Sequence, residues 1–132
     1  MSKERPFIAV IDDEECVRTA LRRLLQSAAM RVQTFDGGSA FLAALAGEPP
    51  DCAVLDLHMP DMTGFGVLAR LAEMGAGVPV VVITGHDTSG AEELAMRSGA
   101  AAYLRKPIND CVLLGAIFTA IAHSANNTPP HP

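Results

Sequence analysis

The sequence predicts an α/β protein: a doubly wound, five-stranded parallel sheet carrying five helices on its two faces. Three observations lead there. Short β-rich runs recur at intervals of about 20 to 28 residues, and each is followed by a stretch of helical periodicity. Five such alternations require right-handed crossovers, which place helices on both faces of a parallel sheet. Polar residues also stand where the apolar runs stop. Ile8-Ala9-Val10-Ile11 runs into Asp12-Asp13, and Cys52-Ala53-Val54-Leu55 runs into Asp56. Val80-Val81-Val82-Ile83 runs into Thr84, and Tyr103-Leu104 passes Arg105 into Lys106-Pro107.

The predicted strands are 7–11, 31–35, 53–56, 80–84 and 101–104. The first, third and fourth are continuously apolar, as strands covered on both faces must be. Arg31-Val32-Gln33-Thr34-Phe35 mixes polar and apolar residues and fits an edge. In the first helix, Val17, Ala20, Leu21, Leu24 and Ala28 keep the inward rhythm while Arg18, Arg22 and Arg23 take the outer side. Asp13 is placed to cap it, with Glu14 and Glu15 at its positive end. Ser39 is the expected cap of the second helix, which buries Phe41, Leu42 and Leu45. Thr63 or Asp61 opens the third, which turns Val67, Leu68 and Leu71 inward and ends at Gly75 and Gly77. The fourth, about 89–97, is short, has Gly90 near its start and is the least secure. The fifth, about 110–124, carries Val112, Leu113, Leu114, Ile117, Phe118 and Ile121, a stripe wider than one buried face needs. Extra core is the ordinary explanation, and apolar surface offered to a partner is the other.

With 132 residues the chain is expected to hold one domain over 1–124, followed by a disordered tail over 125–132. No apolar run approaches the roughly 18 residues of a membrane span, and the N-terminus has no secretory pattern, so a cytoplasmic protein is expected. A formal charge of −5 argues against sequence-independent binding to nucleic acid. Cys16, Cys52 and Cys111 are odd in number and lack C-x-x-C spacing, which predicts buried reduced thiols.

In a doubly wound sheet, ligands bind beyond the carboxyl ends of the strands, so Asp12, Asp13, Asp56, Thr84 and Lys106 converge on one rim. Three carboxylates there repel one another and call for a cation or a shared proton. A hard cation with oxygen ligands such as Mg²⁺ suits them, and the loop at Pro60 leaves the His58 carbonyl free to face it. The Thr84 hydroxyl and the backbone beside Gly85 suit a phosphate oxygen, and the Lys106 ammonium suits both carboxylates and phosphate. Pro107 holds Lys106 extended. Singly, each has a plainer use: Asp12-Asp13 as a helix cap, Thr84 as a strand former, Lys106 as a surface cation.

Val10-Ile11-Asp12-Asp13-Glu14, Leu55-Asp56-Leu57-His58-Met59-Pro60, Ile83-Thr84-Gly85-His86 and Tyr103-Leu104-Arg105-Lys106-Pro107 together resemble the CheY-like receiver domain of two-component response regulators. The likeness runs from about Phe7 to Ser124, and Ile83-Thr84-Gly85-His86 is most similar to the FixJ type. The resemblance implies the strand order 2-1-3-4-5. It implies Asp56 as acceptor of a phosphoryl group from a sensor histidine kinase or phosphotransfer protein. Asp12, Asp13, Asp56 and the His58 carbonyl would hold Mg²⁺; Thr84, Gly85, Lys106 and Pro107 would bind phosphate. Tyr103 would move into space that Thr84 leaves, and the surface of the fourth helix, fifth strand and fifth helix would then bind a partner or dimerise. His58 and His86 would tune the lifetime of the phosphoryl group. The protein would be a signalling phosphoacceptor and not an enzyme acting on other substrates.

The rivals are a phosphorylation-independent interaction module on the same fold and an N-terminal fragment of a DNA-binding regulator, against a stand-alone single-domain protein. A haloacid-dehalogenase-type phosphatase needs a second Asp two residues beyond the first, where His58 stands. A flavodoxin would find the Asp12-Asp13 pair repelling its flavin phosphate.

Overall fold

The computed structural model describes the chain over residues 5–126, with side chains to residue 124. In chain order the elements are β1 Phe7–Ile11, α1 Glu15–Ser27, β2 Arg31–Phe35, α2 Gly38–Ala44, β3 Cys52–Asp56, α3 Gly64–Met74, β4 Val80–Thr84, α4 Ala91–Arg97, β5 Ala102–Arg105 and α5 Asp110–Asn126. The strands form one parallel sheet in the order β2-β1-β3-β4-β5. β3 and β4 are buried throughout, whereas β2 at one edge is only half-covered. Alternation along each strand splits the core in two. Ala9, Ile11, Leu55 and Val82 pack under α2, α3 and α4; Ile8, Val10, Val54 and Ile83 pack with Leu21, Leu25, Leu113 and Ile117 from α1 and α5.

Local signals set most helix ends. Thr63 opens α3, its hydroxyl oxygen accepting from the Gly66 N–H at 3.2 Å, and Gly75 ends it at φ 61°. Several expectations need correction. Asp13 does not cap α1: Glu14 occupies the cap position, and Asp12 Oδ1 accepts from the Glu14 N–H at 2.9 Å. The carboxylate one residue earlier is the inward one, because β1 stops at Ile11 with Asp12 still in the buried layer. Ser39 does not cap α2, which starts at Gly38 after Gly37 with no side-chain bond. α4 starts at Ala91 after Gly90, two residues later than expected, and β5 lies one residue further along.

On α1, Ala20 is exposed and Leu25 takes the buried place, because the helix presents Leu21 and Leu25 one turn apart to the sheet. Arg18 is half-buried, and its Nη1 donates to the Asp12 carbonyl at 2.9 Å. Of the three free thiols only Cys52 is buried; Cys16 and Cys111 lie on outward faces of α1 and α5. On α5, Leu113 and Ile117 enter the core, while Val112 is 53% and Phe118 50% exposed, so the wide stripe is not all core. That helix continues to Asn126, so residues 125 and 126, expected in the tail, are helical; the rest of that expectation lies outside the described residues. Among the described residues no helix is long and apolar enough to cross a membrane.

Candidate functional site

Backbone pairing at the strand ends assembles the rim. The Asp12 N–H donates to the Phe35 carbonyl at 3.1 Å, the Leu57 N–H to Ile83 at 3.0 Å, and the Lys106 N–H to Thr84 at 2.7 Å. Asp12, Asp56, Thr84 and Lys106 are thus fixed at the carboxyl ends of four adjacent strands, Thr84 one residue and Lys106 two residues beyond the level of Asp56. Asp12 is 0%, Asp56 3% and Thr84 1% exposed, and they are the buried polar residues of the described chain. Asp13 joins them from the exposed side: ligand oxygens of Asp12, Asp13 and Asp56 all lie within 4.8 Å of one another.

One ammonium faces this group. Lys106 Nζ is 3.0 Å from Asp12 Oδ2, 3.5 Å from Glu14 Oε1 and 3.8 Å from Asp56 Oδ1. Burial of Lys106 works against its charge, but the bond to Asp12 and the charges of Asp12, Asp56 and Glu14 prevail and hold its pKa above the usual lysine value. Asp56 moves the other way. Burial, then repulsion from Asp12, pushes its carboxyl up to about 6, with Lys106 opposing. Lys106 therefore offsets only part of the cost of charging Asp56. Three hard carboxylate donors fit Mg²⁺ in number and chemistry, and among the described residues no His or Cys completes a softer set with them.

The phosphate side is formed by the loop after β4. Thr84 Oγ1 accepts from the His86 N–H at 3.0 Å. A Cβ placed on Gly85 would meet Lys106 Cδ at 3.4 Å, so the glycine leaves the lysine stem an open floor. The Lys106–Pro107 peptide is cis. The His58 N–H donates to Asp56 Oδ1 at 3.4 Å. His58 Nε2 lies 2.9 Å from the His86 carbonyl, and the two rings meet edge to face at 5.5 Å. A carbonyl only accepts, so Nε2 of His58 carries the proton. Both residues are exposed.

Tyr103 is buried, and its hydroxyl donates to Asp87 Oδ1 at 2.7 Å. Burial and that carboxylate push its phenol up to about 12. Asp87 was not singled out by the sequence, nor was Gly64. A Cβ on Gly64 would lie 2.8 Å from the Asp56 carbonyl oxygen and 2.9 Å from Leu57 Cα. Its N–H also donates to the Leu57 carbonyl at 2.8 Å, so it clamps the turn that aims Asp56. A glycine directly after the Thr63 cap was the available signal.

A 2-1-3-4-5 sheet with an acidic pocket, a lysine and a threonine at its switch point defines a CheY-like receiver. The family model for the response regulator receiver domain matches residues 8–118, and the chain belongs to that family. It is 36% identical over 121 residues to response regulator protein TmoT of Ectopseudomonas mendocina, covering 92% of this chain and 55% of that one. It is 38% identical over 120 residues to transcriptional regulatory protein FixJ of Azorhizobium caulinodans, covering 89% and 56%. The chain therefore spans about half the length of these curated relatives. Among solved structures, FixJ-N superposes with a TM-score of 0.84 at 34% identity, covering 93% of this chain and 97% of that one. A CheY-like receiver domain protein from Methanospirillum hungatei JF-1 gives 0.87 at 22% identity, covering 94% and 99%, a likeness of fold.

Proposed function

We propose that Asp56 accepts a phosphoryl group from a phosphohistidine of a sensor kinase or phosphotransfer protein, and that the chain thereby acts as a Mg²⁺-dependent cytoplasmic switch. The observation that carries this is the ring of Asp12, Asp13 and Asp56 oxygens within 4.8 Å, faced by Lys106. In the transfer, the donor's N–P bond breaks as a bond forms from phosphorus to an Asp56 carboxylate oxygen, and the imidazole leaves to be reprotonated by solvent. Asp12, Asp13, Asp56 and the His58 carbonyl would hold the cation, which when bound supplies positive charge to the transferring group. Lys106 keeps its ammonium beside the same oxygens, and Thr84 and the N–H groups beside Gly85 offer donors to the rest of the phosphoryl group. Pro107 fixes where the lysine stem starts. His58 and His86 border the approach of water and set how long the acyl phosphate lasts.

Once Thr84 turns toward the phosphate, Tyr103 repacks and the α4-β5-α5 surface binds a protein partner or a second copy, with no direct contact to nucleic acid. A second reading, the receiver part of a longer regulator, is favoured by the half-length match to TmoT and FixJ. The test is incubation with Mg²⁺ and phosphoramidate followed by intact mass. The expected result is a gain of one phosphoryl group that disappears with EDTA and in Asp56→Asn. No gain, with Mg²⁺ bound, would favour the phosphorylation-independent module.

A further inference from the structure

Outside the acidic pocket, Asp87 ties three elements together. It sits on the loop three residues beyond Thr84, and both its carboxylate oxygens are engaged. Oδ1 takes the Tyr103 hydroxyl at 2.7 Å, and Oδ2 takes Arg105 Nε. Arg105 in turn donates from Nη2 to Glu92 Oε1 at 2.9 Å, in the first turn of α4. The Arg105 guanidinium also lies over the Tyr103 ring at 5.4 Å from its centroid. The phenol is therefore held at its hydroxyl by a carboxylate and along its face by the cation paired to that carboxylate.

We infer that Asp87 is a positioning residue, a clamp that fixes Tyr103 inward and transmits movement of the Thr84–Asp87 loop to α4 through Arg105 and Glu92. The inference rests on the receiver reading of the site and adds the path by which its signal leaves. Thr84 Oγ1 accepts from the His86 N–H, so a hydroxyl drawn toward a phosphoryl oxygen either pulls His86 with it or strips that N–H of its partner. The first course carries the next residue, Asp87, with it, and the second frees the loop that holds Asp87. A shared carboxylate cannot move without disturbing both Tyr103 and Arg105, because its bonds to a buried phenol and a guanidinium are charge-assisted and directional. The pairs to Arg105 are exposed and add little stability each, so the clamp acts by linking positions.

The chain has one Tyr and no Trp, so its ultraviolet emission reports Tyr103 alone. Emission would be recorded for the full chain and for Asp87→Asn and Glu92→Gln, each with and without Mg²⁺ plus beryllofluoride as phosphoryl mimic. Amide hydrogen exchange over 91–97 would be followed in the same samples. A phenol bonded to a carboxylate is quenched, so Asp87→Asn is expected to brighten emission before any addition, whereas Glu92→Gln is not. Beryllofluoride is expected to change wild-type emission and α4 exchange together. Asp87→Asn should lose most of both responses, and Glu92→Gln should lose the α4 response alone. If Asp87→Asn, folded by circular dichroism, emits like wild type and transmits the mimic's effect to α4 unchanged, the clamp is overturned. If Asp87→Asn is unfolded, Glu92→Gln decides: an intact α4 response there overturns the relay. If no variant nor wild type binds beryllofluoride by fluorine NMR, the receiver reading fails and the relay with it. Unligated emission then separately shows whether the clamp exists as a static contact.

Discussion

The Lys106 ammonium stands 3.0 Å from Asp12 Oδ2, an ion pair between residues 94 apart in the chain that joins the two ends of the rim. Asp12 is 0% exposed and has this cation as its counter-charge, so removing the cation strands a buried carboxylate. Breaking such a pair costs about 3 kcal/mol, whereas neutralising both members costs far less. Lys106→Met is expected to lose about that much stability in urea unfolding at pH 7, and Asp12→Asn in the same chain is expected to return most of it. Losses that simply add would refute the coupling.

Asp56 makes the opposite contribution. Its folded-state pKa of about 6 exceeds the ordinary carboxylate value, so the folded chain holds the proton more tightly than the unfolded one. Stability from this group is therefore present below about pH 4 and is lost as pH rises toward about 6. A shift of this size corresponds to about 2 to 3 kcal/mol. Asp56→Asn is thus expected to be more stable than wild type by about that amount at pH 7, and the gap should close near pH 4. A difference independent of pH would contradict the strained carboxylate.

Cation binding should relieve the same strain. A ligand at 100 times its Kd stabilises the folded state by about 2.7 kcal/mol, which raises Tm by about 10 °C in a domain of this size. Mg²⁺ is expected to produce a rise of that order and EDTA to reverse it. Asp13→Asn should abolish the rise with little effect on the metal-free Tm, because Asp13 is exposed. A Mg²⁺ shift that survives Asp13→Asn would place the cation elsewhere.

Two glycines separate a packing role from mere permissiveness. Gly64→Ala drives a methyl to within 3 Å of the Asp56–Leu57 backbone, which cannot yield as a side-chain tip would. Overpacking of this kind costs about 3 kcal/mol. Gly115, within α5, has no atom within 4 Å of an added Cβ, and Gly115→Ala is expected to gain about 0.5 to 1 kcal/mol. Chemical denaturation of both variants checks the pair, and equal effects would contradict the contact.

β1, β3 and β4 were legible because burial on both faces leaves an apolar run with nothing to confuse it, β3 differing only by Cys52, whereas β2 was legible as a mixed, half-covered edge. The rim was legible for the same reason, since a carboxylate or hydroxyl closing such a run has to leave the sheet at its edge. Helix starts were harder. Asp12 and Asp13 are equivalent as letters, and only the depth of β1 decides that Asp12 turns in while Asp13 faces out. Ala20 and Leu25 exchange roles because helical rhythm leaves about a third of a turn undetermined. Asp87 and Gly64 escaped because their work depends on β5 and the Asp56 turn, which are remote in sequence or invisible without coordinates.

The most direct measurement is reductive trapping of the modified side chain. Protein incubated with Mg²⁺ and phosphoramidate would be treated with borohydride, which converts a phosphorylated aspartate to homoserine, and mapped by peptide mass spectrometry. Homoserine is expected at position 56, dependent on Mg²⁺ and absent elsewhere. Homoserine at another aspartate, or none at position 56 in protein that binds Mg²⁺, would contradict it.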